Sequence, residues 1–196
     1  MNQTQMEQLV YEALETEMGG AKIYQKALKC VQNKELKKEW QRYHKQTQRH
    51  VEIMTDVCKK LGLDPDKETP GRHIVRTLGQ TLLQIMDSAM QADNKQQAEI
   101  VAAEAITQAE LKDHMNWQLI GLLCQEADDR IKRVLQPAYE EVEDQEDEHF
   151  FHTRGWAREL WAKSLNIKSV LPPPEEKMDV KTAMGTATAE LSRRAM

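Results

Sequence analysis

Turn-forming residues are scarce in this chain: 8 glycines and 6 prolines in 196 residues, with three of the prolines consecutive at 172–174. Aromatics make up only 5%, so many-stranded sheets, which need frequent turns and aromatic or β-branched runs, are poorly provided for. Cysteine is nearly absent. Cys30, Cys58 and Cys124 are odd in number and widely spaced, with no Cys-x-x-Cys, which argues against a disulfide frame and suits small apolar residues in a reducing compartment. There is no excess of basic residues: 27 Lys and Arg against 32 Asp and Glu give a net charge of −5. Nothing therefore draws the chain electrostatically to nucleic acid or to an anionic membrane. No apolar run approaches the roughly 20 residues of a membrane span. The start, MNQTQMEQLV, lacks the basic and apolar regions of a signal peptide, so a soluble, cytoplasmic protein is expected.

What the chain does have is Ala, Leu, Glu, Lys, Gln and Met, the strong helix formers, and an all-α fold follows. Apolar residues recur at helical spacing over about 4–31, 34–61, 72–91, 95–124 and 128–166. Between the second and third of these, LGLDPDKETPG is a clear stop. The break near CQEADD is weaker, and Pro137 is expected to kink the last helix or reset its start. Four long helices with a shorter one in the connection suggest a four-helix bundle with a long crossover, occupying 1–171. Residues 172–196, opened by the prolines, read as a flexible tail.

The apolar stripes are interrupted by polar groups. The first holds Glu17 among Val10, Leu14, Ala21, Tyr24 and Leu28; the second holds Thr47 and His50 among Tyr43, Val51 and Met54. The stripe through Ile100, Val101, Leu111, Met115, Leu119 and Leu122 holds Glu104, and the last holds Glu146 and His149. A buried carboxylate costs several kcal/mol, by rough reckoning, unless it is paired, protonated or bound to a cation. These interruptions also lie at matching heights. Glu17 and Thr47 are equidistant from residue 32, inside one inter-helix turn, and Glu104 and Glu146 from residue 125, inside another. Carboxylates level with one another across two hairpins could share a pair of cations, and imidazole completes such a coordination sphere.

One Glu on the first helix, Thr47-x-x-His50 on the second, Glu104 on the third and Glu146-x-x-His149 on the fourth resemble the ligand set of the ferritin-like di-iron and di-manganese carboxylate proteins, of the rubrerythrin and bacterioferritin type. The resemblance covers roughly residues 5–165 and implies a ferritin-like up-down four-helix bundle. It implies metal ligands at Glu17, His50, Glu104, Glu146 and His149, with Tyr24, Thr47 and His152 around them. Thr47 departs from the pattern: a short hydroxyl stands where the family has a bridging Glu, so one of the two ions would be weak or missing. Glu143, one turn before Glu146, is a candidate to compensate. On the third helix, the alternative face through Ile106 and Trp117 would present Glu110 and His114 in place of Glu104; the larger aliphatics beside Glu104 favour Glu104.

The acids around this motif read in two ways. EDQEDEHFFH at 143–152 is by itself an ordinary solvated helix face; only the coincidence across four helices lifts it above that. The expected function is a non-haem centre of two iron or manganese ions that activates O₂ or peroxide, or oxidises Fe(II), as an oxidoreductase or iron-handling protein. The expected assembly is a homo-oligomer, a dimer in the first instance. Two alternatives stand beside it: a ferritin-like structural protein that has lost productive metal binding, and a docking protein that engages a partner through its tail.

Overall fold

Each of the first five helices begins on a side chain that accepts from its own first-turn amides. Asn2 caps α1 (Gln3–Cys30), Asn33 caps α2 (Lys34–Lys60), and Thr69, followed by Pro70 at the first helical position, caps α3 (Pro70–Gln91). Asn94 caps α4 (Lys95–Glu126) and Asp128 caps α5 (Asp129–Ser164). A single turn, α6 (Pro174–Lys177), follows. This is a computed structural model, and it describes residues 1–177; the expectations for 178–196 lie outside the described residues. The described residues form no strand, so the all-α expectation holds. Pro137 lies inside α5, which continues through it without restarting.

Three-residue and two-residue connections make α1–α2 and α4–α5 antiparallel neighbours. The remaining contacts, α1 with α4 and α2 with α5, close the four long helices into a ring. The crossover helix α3 lies outside that ring against α1 and α4. Buried Glu15 of α1 clamps it there: the carboxylate accepts from Arg72 Nε at 2.9 Å and from Arg76 Nε at 2.8 Å. Burial pushes the Glu15 carboxyl up, but Arg76 and Arg72 outweigh it and hold it below its usual range.

The core is divided in two along the helix axes. One apolar cluster gathers Ile23, Leu36, Trp40, Ile100, Trp156 and Leu160, the other Val10, Leu14, Met54, Ile120, Leu135 and Val142. On every long helix the residues between the two clusters include the polar ones: Glu17 on α1, Thr47 and His50 on α2, Glu110 and Asp113 on α4, Glu146 and His149 on α5. A polar slab crosses the molecule at mid-height.

The face of α4 departs from the sequence expectation. Leu111, Met115, Leu119 and Leu122, the large aliphatics of the expected inward stripe, are exposed. Ala102, Ile106, Glu110, Asp113, Trp117 and Ile120 face inward instead. Large and apolar residues occur on both sides of this helix, and the close approach of neighbouring helices takes the face that also carries alanines. Near the other end, Pro173, Pro174 and Glu175, placed by the sequence in the tail, are buried. Gly155 of α5 makes room for them: a methyl there would come within 3.0 Å of the Glu175 carboxylate and 3.2 Å of Pro173. Glu175 also accepts from Arg158.

A chain ending at 171 is therefore expected to be less stable than one ending at 177. The lost burial is worth about 1–2 kcal/mol, or roughly 2–8 °C in a domain of this size. Thermal melts of the two truncations, with equal melting temperatures as the contrary result, decide this.

Candidate metal centre

Two groups of three potential ligands lie side by side in the slab and share one residue. Glu17, His50 and Glu146 form the first; Glu110, Glu146 and His149 form the second; within each, the ligand atoms lie within 4.8 Å of one another, and all five residues are buried. His50 Nδ1 is 2.9 Å from Glu146 Oε1 and 3.5 Å from Glu17 Oε2. His149 Nδ1 is 3.2 Å from the same Glu146 oxygen and 3.8 Å from Glu110 Oε2. Ligands about 2.0–2.2 Å from a common transition-metal ion stand roughly 3–3.5 Å apart; the imidazole–carboxylate separations here, 2.9 to 3.8 Å, lie close to that. The i, i+3 spacing of Glu146 and His149 puts both on one face of α5, so one helix serves both groups.

Glu17 Oε1 accepts from Trp117 Nε1 at 2.9 Å, while Glu17 Oε2 has no hydrogen-bond partner. The same lack is found at His50 Nδ1, His149 Nδ1, Glu110 Oε2, both Glu146 oxygens and Asp113 Oδ1. Buried polar atoms are normally hydrogen-bonded; Tyr24 Oη, Trp40 Nε1, His152 Nε2 and Thr153 Oγ1 also lack a partner, and seven such atoms gather in the two candidate groups and Asp113. Oxygen and imidazole donors in this arrangement could hold a metal ion in each group.

Protein groups alone leave the cluster strained in charge. Burial first, then Glu146, pushes the Glu110 carboxyl well up; burial, Glu17 and Glu146 do the same to Asp113. Burial also raises Glu17, against the opposing pull of His50. Burial lowers His50, but Glu17 and Glu146 more than reverse this and hold it well above the usual imidazole range. Glu146 is driven up by burial and further down by His149 and His50, ending well below the carboxylate range. His149 is lowered by burial, with His50 adding to it.

The structure brings together Glu17, His50, Glu146 and His149 as expected from the sequence, but not Glu104. That carboxylate lies on another side of α4 and accepts from Trp161 Nε1 at 2.7 Å. Glu110, the alternative, occupies the place. Its companion His114 points elsewhere, to Asp147 at 3.1 Å, and stacks on Phe150. Glu143 is exposed, on the wall of a cleft of about 440 Å³ between α4 and α5 that reaches Glu146. Thr47 is buried, and its hydroxyl donates to the Tyr43 carbonyl of its own helix at 3.0 Å. Tyr24 is buried beside the cluster, 6.1 Å between its ring and that of His149; burial, then Glu110, holds its phenol well above its usual range.

His152 is one layer further out. The Tyr43 ring lies 4.2 Å from the His149 ring, and its hydroxyl donates to Glu39 at 2.9 Å. The single phenolic proton is thus committed, so His152 Nδ1, 3.0 Å away, is the donor to Tyr43. Glu39 Oε2 accepts from Trp156 Nε1 at 3.0 Å.

The sequence reading missed Asp113. It is 4% exposed and lies one turn after Glu110, so Glu110-x-x-Asp113 repeats on α4 the i, i+3 spacing used on α2 and α5. That spacing was the available signal. Comparison of the chain with protein-family models, with curated proteins and with solved structures finds no match.

The charges predict an unusual pH dependence for the chelated protein. Glu17, Glu110 and Asp113 have folded values above their unfolded ones, so the folded state loses stability relative to the unfolded as pH rises above about 4. His50, also raised, contributes stability below about 6.5 that is lost as pH rises through its folded value. Glu146 has the opposite sign, but its contribution is complete above about 4.5; lowered His149 opposes only up to about 6.5. Chelated protein is expected to melt lower at pH 8.5 than at pH 6, and added Mn(II) or Co(II) to narrow the difference. A chelated melting temperature that climbs over this interval would contradict the charge arrangement.

Proposed function

We propose that this chain is a ferritin-like metal-binding protein that holds two divalent iron or manganese ions and uses them on O₂ or peroxide. The observation that carries the reading is Glu146: a buried carboxylate shared by two three-residue donor groups, with neither oxygen hydrogen-bonded. Glu17 and His50 would complete one ion's protein ligands, Glu110 and His149 the other's. The ring of α1, α2, α5 and α4, with α3 in the crossover, supports the ferritin-like assignment.

Asp113 answers the departure at Thr47. With Thr47 neutral and turned to its own backbone, Glu17, Glu110, Asp113 and Glu146 supply four carboxylates, which balance two divalent cations when all are ionised. Bound iron or manganese would supply electron transfer to a small oxidant. The chain's own part is to keep the ligands dry and fixed, and to admit small molecules along the cleft that ends at Glu146. On the far side of His149, Tyr43, Glu39 and His152 form a buried hydrogen-bonded network next to the site.

Metal analysis tests this. The chain, purified without a tag and loaded anaerobically with Fe(II) or Mn(II), is expected to retain two ions. Glu146→Gln should lose both, Glu17→Gln and Glu110→Gln one each, and Asp113→Asn should bind both more weakly. The Fe(II)-loaded chain should consume O₂. A wild-type chain that retains no ion, with a Glu146→Gln variant more stable than wild type, would favour a structural protein on the same scaffold.

A further inference from the structure

The nitrogens that His50 and His149 turn away from the cluster each meet a glutamine, and the pairing is crossed. His50 Nε2 on α2 is 3.2 Å from Gln145 Oε1 on α5; His149 Nε2 on α5 is 3.1 Å from Gln46 Oε1 on α2. In sequence the arrangement reads Gln-Thr-x-x-His at 46–50 and Gln-Glu-x-x-His at 145–149, one pattern used twice. Each glutamine lies next to the residue one turn before its own helix's histidine, yet reaches the imidazole of the other helix.

The direction of one of these bonds is settled by chemistry. Gln145 Nε2 donates to the Glu141 carbonyl at 2.9 Å, which leaves the amide oxygen facing His50. An amide oxygen only accepts, so the imidazole Nε2 must carry the hydrogen. The lone pair available to a cation is then on Nδ1, the atom that faces Glu17 and Glu146. His149 repeats the arrangement toward Glu110 and Glu146.

We propose that Gln46 and Gln145 are a crossed pair of positioning residues, each fixing the ring plane and the Nε2–H tautomer of the histidine on the opposite helix so that Nδ1 points at a bound cation. The inference rests on the two-ion reading and adds the residues that aim its imidazole ligands. Glutamine is suited to the task by being neutral. A carboxylate in its place would orient the ring and raise its basicity, but two of them would take the set from four negative charges to six against two divalent ions. An amide orients the ring and leaves that balance intact. Because both bonds join α2 to α5, they also hold the two His-bearing helices in register at the height of the site.

Co(II) serves as a spectroscopic probe of affinity, and ¹⁵N spectra of the Zn(II)-loaded full chain report each imidazole. Gln46→Leu removes the acceptor at similar volume. It is expected to weaken Co(II) binding about 10- to 100-fold and to shift the ring nitrogens of His149 while leaving those of His50 in place. Gln145→Leu should do the mirror image. Gln46→Glu and Gln145→Glu, which keep an acceptor oxygen, should restore affinity to within a few-fold of wild type and return the ring signals. If a leucine variant does not fold, Gln→Met, of similar length and without the acceptor oxygen, takes its place. Leucine variants that bind Co(II) like wild type, or that disturb the histidine of their own helix, would overturn the crossed assignment while leaving the two-ion reading standing. A wild-type chain that takes up no Co(II) would remove both at once, and so the two failures are told apart.

Discussion

Six buried ionisable groups at the centre of the molecule constrain the rest of it. Four carboxylates (Glu17, Glu110, Asp113 and Glu146) and two imidazoles are almost completely withdrawn from water, and the shortest contacts that offset their charges are those of Glu146 with both histidines. Withdrawing a charge from water costs several kcal/mol even after relaxation, by order of magnitude, and repulsion among the carboxylates adds to it. The surrounding apolar clusters must supply the excess. Their division into two halves follows, because aliphatic side chains can neither enter the slab nor satisfy its lone pairs. A cation between the carboxylates would reverse the sign of the largest electrostatic cost. The site and the stability of the fold are therefore one question.

Glu146 had to be at the centre for geometric reasons. It is the residue of the cluster from which both His50 and His149 are within about 3 Å, and it shares α5 with one of those histidines while facing the other across the contact with α2. Glu17 is steadied from outside by the Trp117 indole, which leaves one oxygen for the cluster. The histidines are steadied by the glutamines. Glu17, His50 and His149 thus each use one atom outward, in a hydrogen bond that sets the side chain's orientation, and one inward.

Much of this was legible in the sequence, and the part that was not failed for identifiable reasons. Glu17, His50, Glu146 and His149 could be found because each interrupts an otherwise apolar stripe, and because short connections fix the height of one helix against the next. The same logic misplaced the inward carboxylate on α4. Leu111, Met115, Leu119 and Leu122 made the wrong face look like the core, since periodicity counts apolar residues and cannot see that the face with Ala102, Glu110, Asp113 and Trp117 approaches its neighbours more closely. Asp113 was hidden by the same error, being visible only after the correct face is chosen. Gln46 and Gln145 could not be recognised as paired, because their partners lie on the opposite helix and nothing local marks a cross-helix hydrogen bond. Pro173 to Glu175 read as tail because three prolines end a helix; that they go on to pack against α5 depends on the space left by Gly155.

Thr47 and Asp113 show how the slab distributes its charge over the helices. A carboxylate at that position would have projected from α2 toward the cluster, where Gly20 of α1 now lies 3.4 Å from the threonine methyl when a Cβ is built on it. The helices pack closely at this side chain, and its hydroxyl is turned to its own backbone. Across the ring on α4, Asp113 adds a buried carboxylate one turn from Glu110. The buried charge is thus carried by α1, α4 and α5, in the one slab where the apolar clusters part. The test that matters for such a site is the total of what faces inward, not the position from which each part of it comes.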